Sequence, residues 1–227
     1  EDISNIDGKT RDETVTTLLL RSYARNISTT AANTSILRDI RANTDIGETT
    51  FYEYVAALKK LFVIQDIEAW CPAIRSKSSI QSGNKREFVD PSLVVSALGV
   101  EPDYFNLDLK TFGFIFETLC IRDLKIYSNA LGGRVSYYRD RYGLEADCVL
   151  HLRDGKYALI EFKLGSSEID EGAKHLNEIE KLVEEYNKTE KQCLLRAPDL
   201  KIVITGTQYG YKRPDGVYVV PIGCLRD

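Results

Sequence analysis

The sequence has no long apolar run, few histidines and no closely spaced cysteines. No stretch approaches about 18 uninterrupted apolar residues and no signal-peptide pattern opens the chain, which excludes a transmembrane helix and predicts no membrane partner. The five cysteines are odd in number and lack C-x-x-C spacing, so structural zinc is not expected and a reducing cytoplasm is the natural location. With only His151 and His175 present, a Ser-His or Cys-His nucleophile is also disfavoured.

A nucleotide-binding motif is absent as well. The glycine-containing segments 165–168 and 206–212 both lack the G-x-x-x-x-G-K-[ST] pattern that cradles phosphates, so we expect no nucleotide site in this sequence. The chain begins at Glu1 without an initiating methionine, so we expect it to be part of a longer protein.

Length and composition are those of an ordinary globular protein. With 227 residues, 43% of them hydrophobic and 28% charged, the chain is long enough for two modest domains. The segment Val100–Asp103 separates two differently patterned halves, so we predict domains at 1–103 and 104–227. The net charge of −4 implies no broad basic surface.

The amino-terminal half is predicted to contain helices followed by a small β-ribbon. Apolar residues at helical spacing predict three helices, over 12–27, over 35–42 and from 47–50 onward. Thr49 or Thr50 is expected to cap the third helix. Strands over 62–70 and 85–89 form the ribbon, and a short helix covers 91–99. Three helices and a two-stranded ribbon predict a winged-helix-type domain.

The predicted wing is basic. It carries four cations and no acid between Ile74 and Arg86: Arg75, Lys77, Lys85 and Arg86. A positive wing is what contact with a DNA backbone needs. The third helix, however, is neutral overall, and winged helices also dock proteins, so DNA contact and protein docking both remain open.

The carboxy-terminal half is predicted to be an α/β sandwich with a mixed sheet. The expected order is one helix, three strands, a second helix and two further strands. These elements cover 109–127, 135–138, 145–150, 157–163, 168–186, 200–205 and 217–221.

Charged residues mark one end of the two middle strands. Asp154-Gly155 between apolar runs predicts a hairpin, so Asp147 at the start of one strand should lie beside Glu161 at the end of the next. Glu161 and Lys163 are two residues apart and therefore point to one face. Two carboxylates and an ammonium at a sheet edge can hold a divalent metal and position a water.

A structural alternative stays open for these residues. A Glu and a Lys two apart are often the solvated face of a half-covered sheet. The continuous apolar run before Glu161 instead predicts a strand covered on both faces, and charged residues at the end of such a strand need a physical reason. Glu117, in an otherwise apolar helix, either faces water or is a third acid facing the sheet.

The motifs together resemble a known superfamily. Glu117 on its helix, Glu145-Ala-Asp147 and Glu161-Phe-Lys163 are similar to the PD-(D/E)xK, or restriction-endonuclease-like, pattern, although Ala146 stands where a proline is usual. Nearly the whole chain resembles the carboxy-terminal region, a domain of unknown function, of prokaryotic AAA+-type ATPases. The matching segments are 21–26, 50–58, 88–92, 145–147, 161–163 and 215–222.

The resemblance implies specific roles. Asp147 and Glu161 would be Mg²⁺ ligands, Glu117 would complete the metal shell, and Lys163 would orient the attacking water or stabilise the developing charge. A P-loop ATPase domain, the only part that would bind ATP, would precede Glu1. Two hypotheses follow: a Mg²⁺-dependent phosphodiesterase acting on DNA, or a non-catalytic module that binds DNA or protein for the ATPase.

Overall fold

Residues 8–73, 82–190 and 192–226 are described by a computed structural model, in which they divide into two units. The first unit comprises 8–67 and 83–118, and the second comprises 68–73, 82, 119–190 and 192–226. The division falls inside the helix Leu109–Asn129, which is later in the chain than the boundary predicted after Asp103. Because the protein contains both helices and a mixed β-sheet, its fold class is mixed α/β.

Three helices begin the first unit: α1 (Glu13–Arg25), α2 (Asn33–Arg41) and α3 (Glu48–Lys60). Asp12 caps α1, because its carboxylate accepts hydrogen bonds from the backbone N–H of Thr14 at 2.6 Å and of Val15 at 3.2 Å. The cap predicted for α3 was wrong. Gly47 in an extended conformation is the N-cap, so Thr49 and Thr50 already lie within the first helical turn.

A two-stranded antiparallel ribbon follows, made of β1 (Ile64–Ile67) and β2 (Lys85–Phe88). Its register places Asp66 opposite Arg86. Helix α4 (Pro91–Leu98) comes next and ends at Gly99, whose φ of +70° suits a residue without a side chain. A 3₁₀ turn (Pro102–Asn106) then leads to α5 (Leu109–Asn129).

The second unit is built on a six-stranded mixed sheet. Its strands are β3 (Arg134–Arg139), β4 (Glu145–His151), β5 (Tyr157–Lys163), β6 (Leu200–Thr205), β7 (Tyr211–Lys212) and β8 (Tyr218–Pro221), in the spatial order β3-β4-β5-β6-β8-β7. Strands β3, β4 and β5 are antiparallel, whereas β5, β6 and β8 are parallel. The short edge strand β7 was not predicted, since two residues are too few to show a period.

The predicted hairpin between β4 and β5 is confirmed. Its turn closes with a hydrogen bond from Gly155 N–H to Leu152 C=O at 3.2 Å and one from Leu152 N–H to Lys156 C=O at 2.8 Å. Gly155 has a φ of +84°, which matches a three-residue loop with glycine in the left-handed region. The Asp-Gly signal therefore set the position of the turn.

Helix α6 (Ile169–Thr189) covers one face of this sheet. Its apolar residues pack with the sheet residues into one core, which includes Ala173, Leu176, Ile179, Val149, Leu159, Val203 and Val219. Strand β5 is buried from Tyr157 to Phe162, as its continuous apolar run predicted. Among the residues that the structure describes, no helix is both long and apolar enough for a bilayer crossing.

Candidate functional site

Asp147 and Glu161 lie at the same end of the β4–β5 hairpin. The strands pair from His151 and Tyr157 up to Cys148 and Ile160, and the next position in this register joins Asp147 with Glu161. The Asp147 carboxylate accepts a hydrogen bond from Phe162 N–H at 2.9 Å, which ties it to the backbone between Glu161 and Lys163. The hairpin thus brings together the residues that the sequence predicted to meet.

Glu161 is buried between a lysine and a histidine. Its side chain is 3% exposed, and its Oε2 lies 3.1 Å from Lys163 Nζ. Its Oε1 lies 3.6 Å from Nδ1 of His175, which projects from α6. His175 was not predicted to be near the site. The helical spacing of Gly172 and His175 marks one face of α6, but nothing local indicates that this face covers β5.

Gly172 allows α6 to approach the charged end of β5 closely. A Cβ atom added at Gly172 would lie 3.1 Å from Lys163 Cε and 3.3 Å from Glu161 Cβ. Both distances are shorter than ordinary van der Waals contact. Because Gly172 has no side chain, α6 can pack directly against Glu161 and Lys163 and restrict their positions.

We expect Gly172→Ala to be destabilising although alanine favours helices. The control is Gly113→Ala in α5, where nothing lies within 4 Å of an added Cβ. Alanine should gain about 0.5–1 kcal/mol at Gly113 through helix propensity. At Gly172 the same gain should be outweighed by about 1–3 kcal/mol of overpacking against Glu161 and Lys163. Urea unfolding of both variants measures the difference, and equal stabilisation would contradict the close packing.

The charges around Lys163 keep its ammonium protonated. Burial alone would lower the pKa of Lys163, but the carboxylates of Glu161, Asp147 and Glu168 raise it above its ordinary value. A raised pKa means that this interaction stabilises the fold fully below the unfolded pKa of about 10.4 and is lost as the pH rises through the folded value. At neutral pH, Lys163 is thus a fixed positive charge beside two acids.

Two carboxylates fit a cation that takes part of its shell from solvent. Mg²⁺ is typically bound through one or two carboxylates, several waters and substrate phosphates. Asp147 is half-buried and Glu161 is buried, and both offer oxygen atoms at one strand end. Over residues 8–73, 82–190 and 192–226, no group of three or more His, Cys, Asp or Glu side chains could hold a metal ion. The arrangement suits Mg²⁺ and does not suit a closed zinc site.

Glu117 has a different partner from the one predicted. It belongs to the first unit, where its side chain is buried and its Oε1 accepts a hydrogen bond from Lys85 Nζ at 2.8 Å. Lys85 itself is 1% exposed. The structure therefore describes Glu117 as one half of a buried ion pair, and its place in a metal shell stays a prediction.

The described part of the predicted wing is buried rather than exposed. Arg86 pairs with Asp66 at 2.9 Å and also donates from Nε to the Ala31 C=O at 2.9 Å. Lys85 and Arg86 thus contact other protein groups, so the prediction that they form an exposed basic surface was wrong. The reason is packing, because all four residues of β2 lie inside the first unit. Arg75 and Lys77 lie outside the described residues.

Glu87, which follows these two cations in β2, was not singled out from the sequence. It is fully buried, and its carboxylate accepts hydrogen bonds from Ser28 Oγ at 2.8 Å and from Thr118 Oγ1 at 2.9 Å. Its partners are 59 and 31 residues away along the chain. No local sequence pattern predicts contacts between residues so far apart in the chain.

Comparison with known families gives two matches. The family model of a domain of unknown function, DUF4143, matches residues 112–225, which is 114 of the 227 residues. The model of another domain of unknown function, DUF8612, matches residues 1–104. No curated protein matches the chain, and neither does any solved structure.

Proposed function

This chain belongs to the family of the domain of unknown function DUF4143, and we propose that its α/β unit is a Mg²⁺-dependent phosphodiesterase that acts on DNA. One observation carries the proposal. Asp147 and Glu161 lie side by side at one end of the β4–β5 hairpin, and the Lys163 ammonium lies 3.1 Å from Glu161. Two acids and a lysine in this order are also the PD-(D/E)xK pattern that the sequence resembles.

The residues have separate roles in this proposal. Asp147 and Glu161 would hold Mg²⁺ through carboxylate oxygens, and the bound ion would supply Lewis-acid polarisation of a phosphoryl oxygen and activation of a water. Lys163, still protonated at neutral pH, places a positive charge where negative charge develops on the phosphoryl group. The hydrogen bond from Phe162 N–H to Asp147 fixes the carboxylate that is nearer to solvent.

The proposal extends to the rest of the polypeptide. Three helices followed by an antiparallel ribbon support a winged-helix-type first unit. The sequence resemblance supports the chain as the carboxy-terminal part of an AAA+-type ATPase, whose P-loop domain would bind ATP.

A second candidate function has its own observation. Glu161 is 3% exposed, and each of its oxygen atoms faces a nitrogen-bearing side chain. An acid held in this way can simply join β5 to α6. The second candidate is therefore a non-catalytic module in which the same residues stabilise a DNA- or protein-binding fold.

Metal binding separates the two candidates. We expect Mn²⁺, used in place of Mg²⁺, to bind with measurable heat, and we expect Asp147→Asn and Glu161→Gln each to weaken binding at least tenfold. Glu180→Gln is the matched control, because Glu180 forms a Glu–Lys pair with Lys201 in the same unit. Cleavage of labelled single- and double-stranded DNA with Mg²⁺ or Mn²⁺ should be lost in Asp147→Asn and Glu161→Gln and retained in Glu180→Gln.

Two other results would contradict the proposed enzyme or its site. Binding of DNA that weakens with salt, without cleavage and without Mn²⁺ binding, would contradict the enzyme and support the module. Unchanged cleavage in Glu161→Gln would overturn the assignment of this site. Thermal unfolding of each variant checks that a loss of activity is not a loss of fold.

A further inference from the structure

A small cavity opens at the other end of strand β4. It has a volume of about 150 Å³ and is lined by Gly132, Arg134, His151, Leu152 and Arg153. His151, the last residue of β4, is four positions after Asp147, which corresponds to about 14 Å of strand between the two sites. Drug-sized ligands need about 300 Å³ or more, so the cavity suits one small ion or a single chemical group.

Two arginines at this cavity are not neutralised. Within the described residues, no carboxylate pairs with the guanidinium of Arg134 or Arg153. Four other arginines of the same unit have carboxylate partners, namely Arg122, Arg139, Arg196 and Arg213, whereas Arg141 lies over the ring of Tyr142. Arg134 and Arg153 are both exposed, and each keeps its planar set of N–H donors available.

The backbone brings these two side chains to one place. Arg134 lies directly opposite His151 across the β3–β4 pair. Arg153 follows in the adjoining turn, where its Nε would be 3.9 Å from a Cβ added at Gly132. Gly132 has a φ of +66°, a conformation that favours glycine and leaves the guanidinium room. The β3–β4 register and the turns that contain Gly132 and Arg153 thus place both arginine side chains at the cavity.

His151 lies in a positive environment. Burial lowers its pKa, and the charge of Arg134 lowers it further. Its Nε2 lies 3.1 Å from the hydroxyl of Ser136, and its ring is 6.1 Å from that of Trp70. Tyr157, its register partner on β5, is a neutral phenol near pH 7 like any tyrosine, and burial and the carboxylates of Asp199 and Glu180 raise its pKa further. An anion in the cavity would therefore complement the surrounding charges.

We propose that Arg134, His151 and Arg153 form a binding site for a single phosphate group. Planar guanidinium groups bind phosphate oxygens through two parallel hydrogen bonds, and two of them flank this cavity. The imidazole of His151 adds an N–H donor, one in its neutral form and two when it is protonated. The site shares no residue with the Asp147–Glu161 site, so it stands whether or not the proposed function holds.

The histidines make the proposal directly testable. The sequence contains only His151 and His175, so the imidazole signals of labelled protein can be assigned by one substitution. Inorganic phosphate is titrated against the intact chain at constant ionic strength. We expect a saturable shift of the His151 signals with a rise in its pKa, and no change at His175.

Matched variants test the role of each arginine. Arg134→Gln and Arg153→Gln should each weaken phosphate binding about tenfold or more, as expected for loss of charge-assisted hydrogen bonds. Arg139→Gln, at the other end of β3 and paired with Glu145, is the control and should bind normally. Absence of a saturable shift in the wild type, or an equal shift in the double arginine variant, would overturn the proposal.

Competition then identifies the source of the phosphate. A single-stranded oligonucleotide without a terminal phosphate competes with inorganic phosphate if the site holds a backbone diester. Competition only by the 5′-phosphorylated form indicates a terminal phosphate. Competition by neither form, together with saturable phosphate binding, indicates a free phosphate or a small phosphorylated compound. Each of these results supports the phosphate site and assigns its ligand.

Discussion

Lys163→Met is expected to lower the rate of DNA cleavage by about 100- to 1,000-fold, the loss typical of removing one group that stabilises transition-state charge. Methionine keeps most of the apolar stem and removes the ammonium. The raised pKa of Lys163 means that the wild-type side chain is charged throughout the neutral range, so the loss should not depend on pH there. Single-turnover cleavage at saturating Mg²⁺ measures the effect.

The same variant should retain metal binding, which distinguishes it from Glu161→Gln. Lys163 is no metal ligand, and its removal leaves both carboxylates in place. Lys201→Met is the control, because Lys201 forms an ion pair with Glu180 between α6 and β6 away from the hairpin end. Wild-type cleavage by Lys163→Met, or equal loss in Lys201→Met, would show that the ammonium has no specific role.

Asp66→Asn is expected to lower the free energy of unfolding of the first unit by about 3–5 kcal/mol. The Asp66 carboxylate is buried and accepts hydrogen bonds from Tyr23 Oη, from Lys59 Nζ at 2.6 Å and from Arg86 at 2.9 Å. Without that carboxylate, the Arg86 guanidinium remains in the interior with no opposite charge, and such a charge is costly. Denaturant unfolding followed by circular dichroism gives the difference.

Controls for this prediction lie in the same unit. Glu53→Gln removes a surface ion pair with Lys9 and should have a several-fold smaller effect, since water screens exposed charges. The double variant Asp66→Leu with Arg86→Met should recover much of the loss, because removing both charges leaves none buried alone. A double variant less stable than Asp66→Asn would contradict the buried-charge explanation.

The pH dependence of this ion pair has a definite sign. Burial opposes ionisation of Asp66, but Lys59, Tyr23 and Arg86 together hold its pKa below the ordinary value. A lowered folded pKa means that the stabilisation is present above the unfolded pKa of about 3.9 and is lost as the pH falls through the folded value. Part of the acid sensitivity of the first unit should therefore disappear in Asp66→Asn.

Most elements of the fold were predictable because their signals are local. The 3.6-residue period of apolar residues located α1, and Asp154-Gly155 located the β4–β5 turn. That turn, together with the two-residue period of strands, was sufficient to bring Asp147 beside Glu161 and Lys163. A few neighbouring residues determine each of these features, since caps, turns and periods act within one or two turns of chain.

Which charged residues are buried depends on packing between distant segments of the chain and could not be predicted locally. Lys85, Arg86 and Glu87 form a polar run of the kind expected on a solvent-exposed strand. The two cations can be buried because Lys85 pairs with Glu117 and Arg86 pairs with Asp66, and both acids lie far away in the sequence. The close approach of α6 at Gly172 likewise depends on how a helix lies over a strand that precedes it in the chain. Local sequence was therefore enough for most of the helices and strands and for the β4–β5 hairpin. Which charges face water depended on contacts between segments far apart in the chain, because burial is a property of everything that packs around a residue.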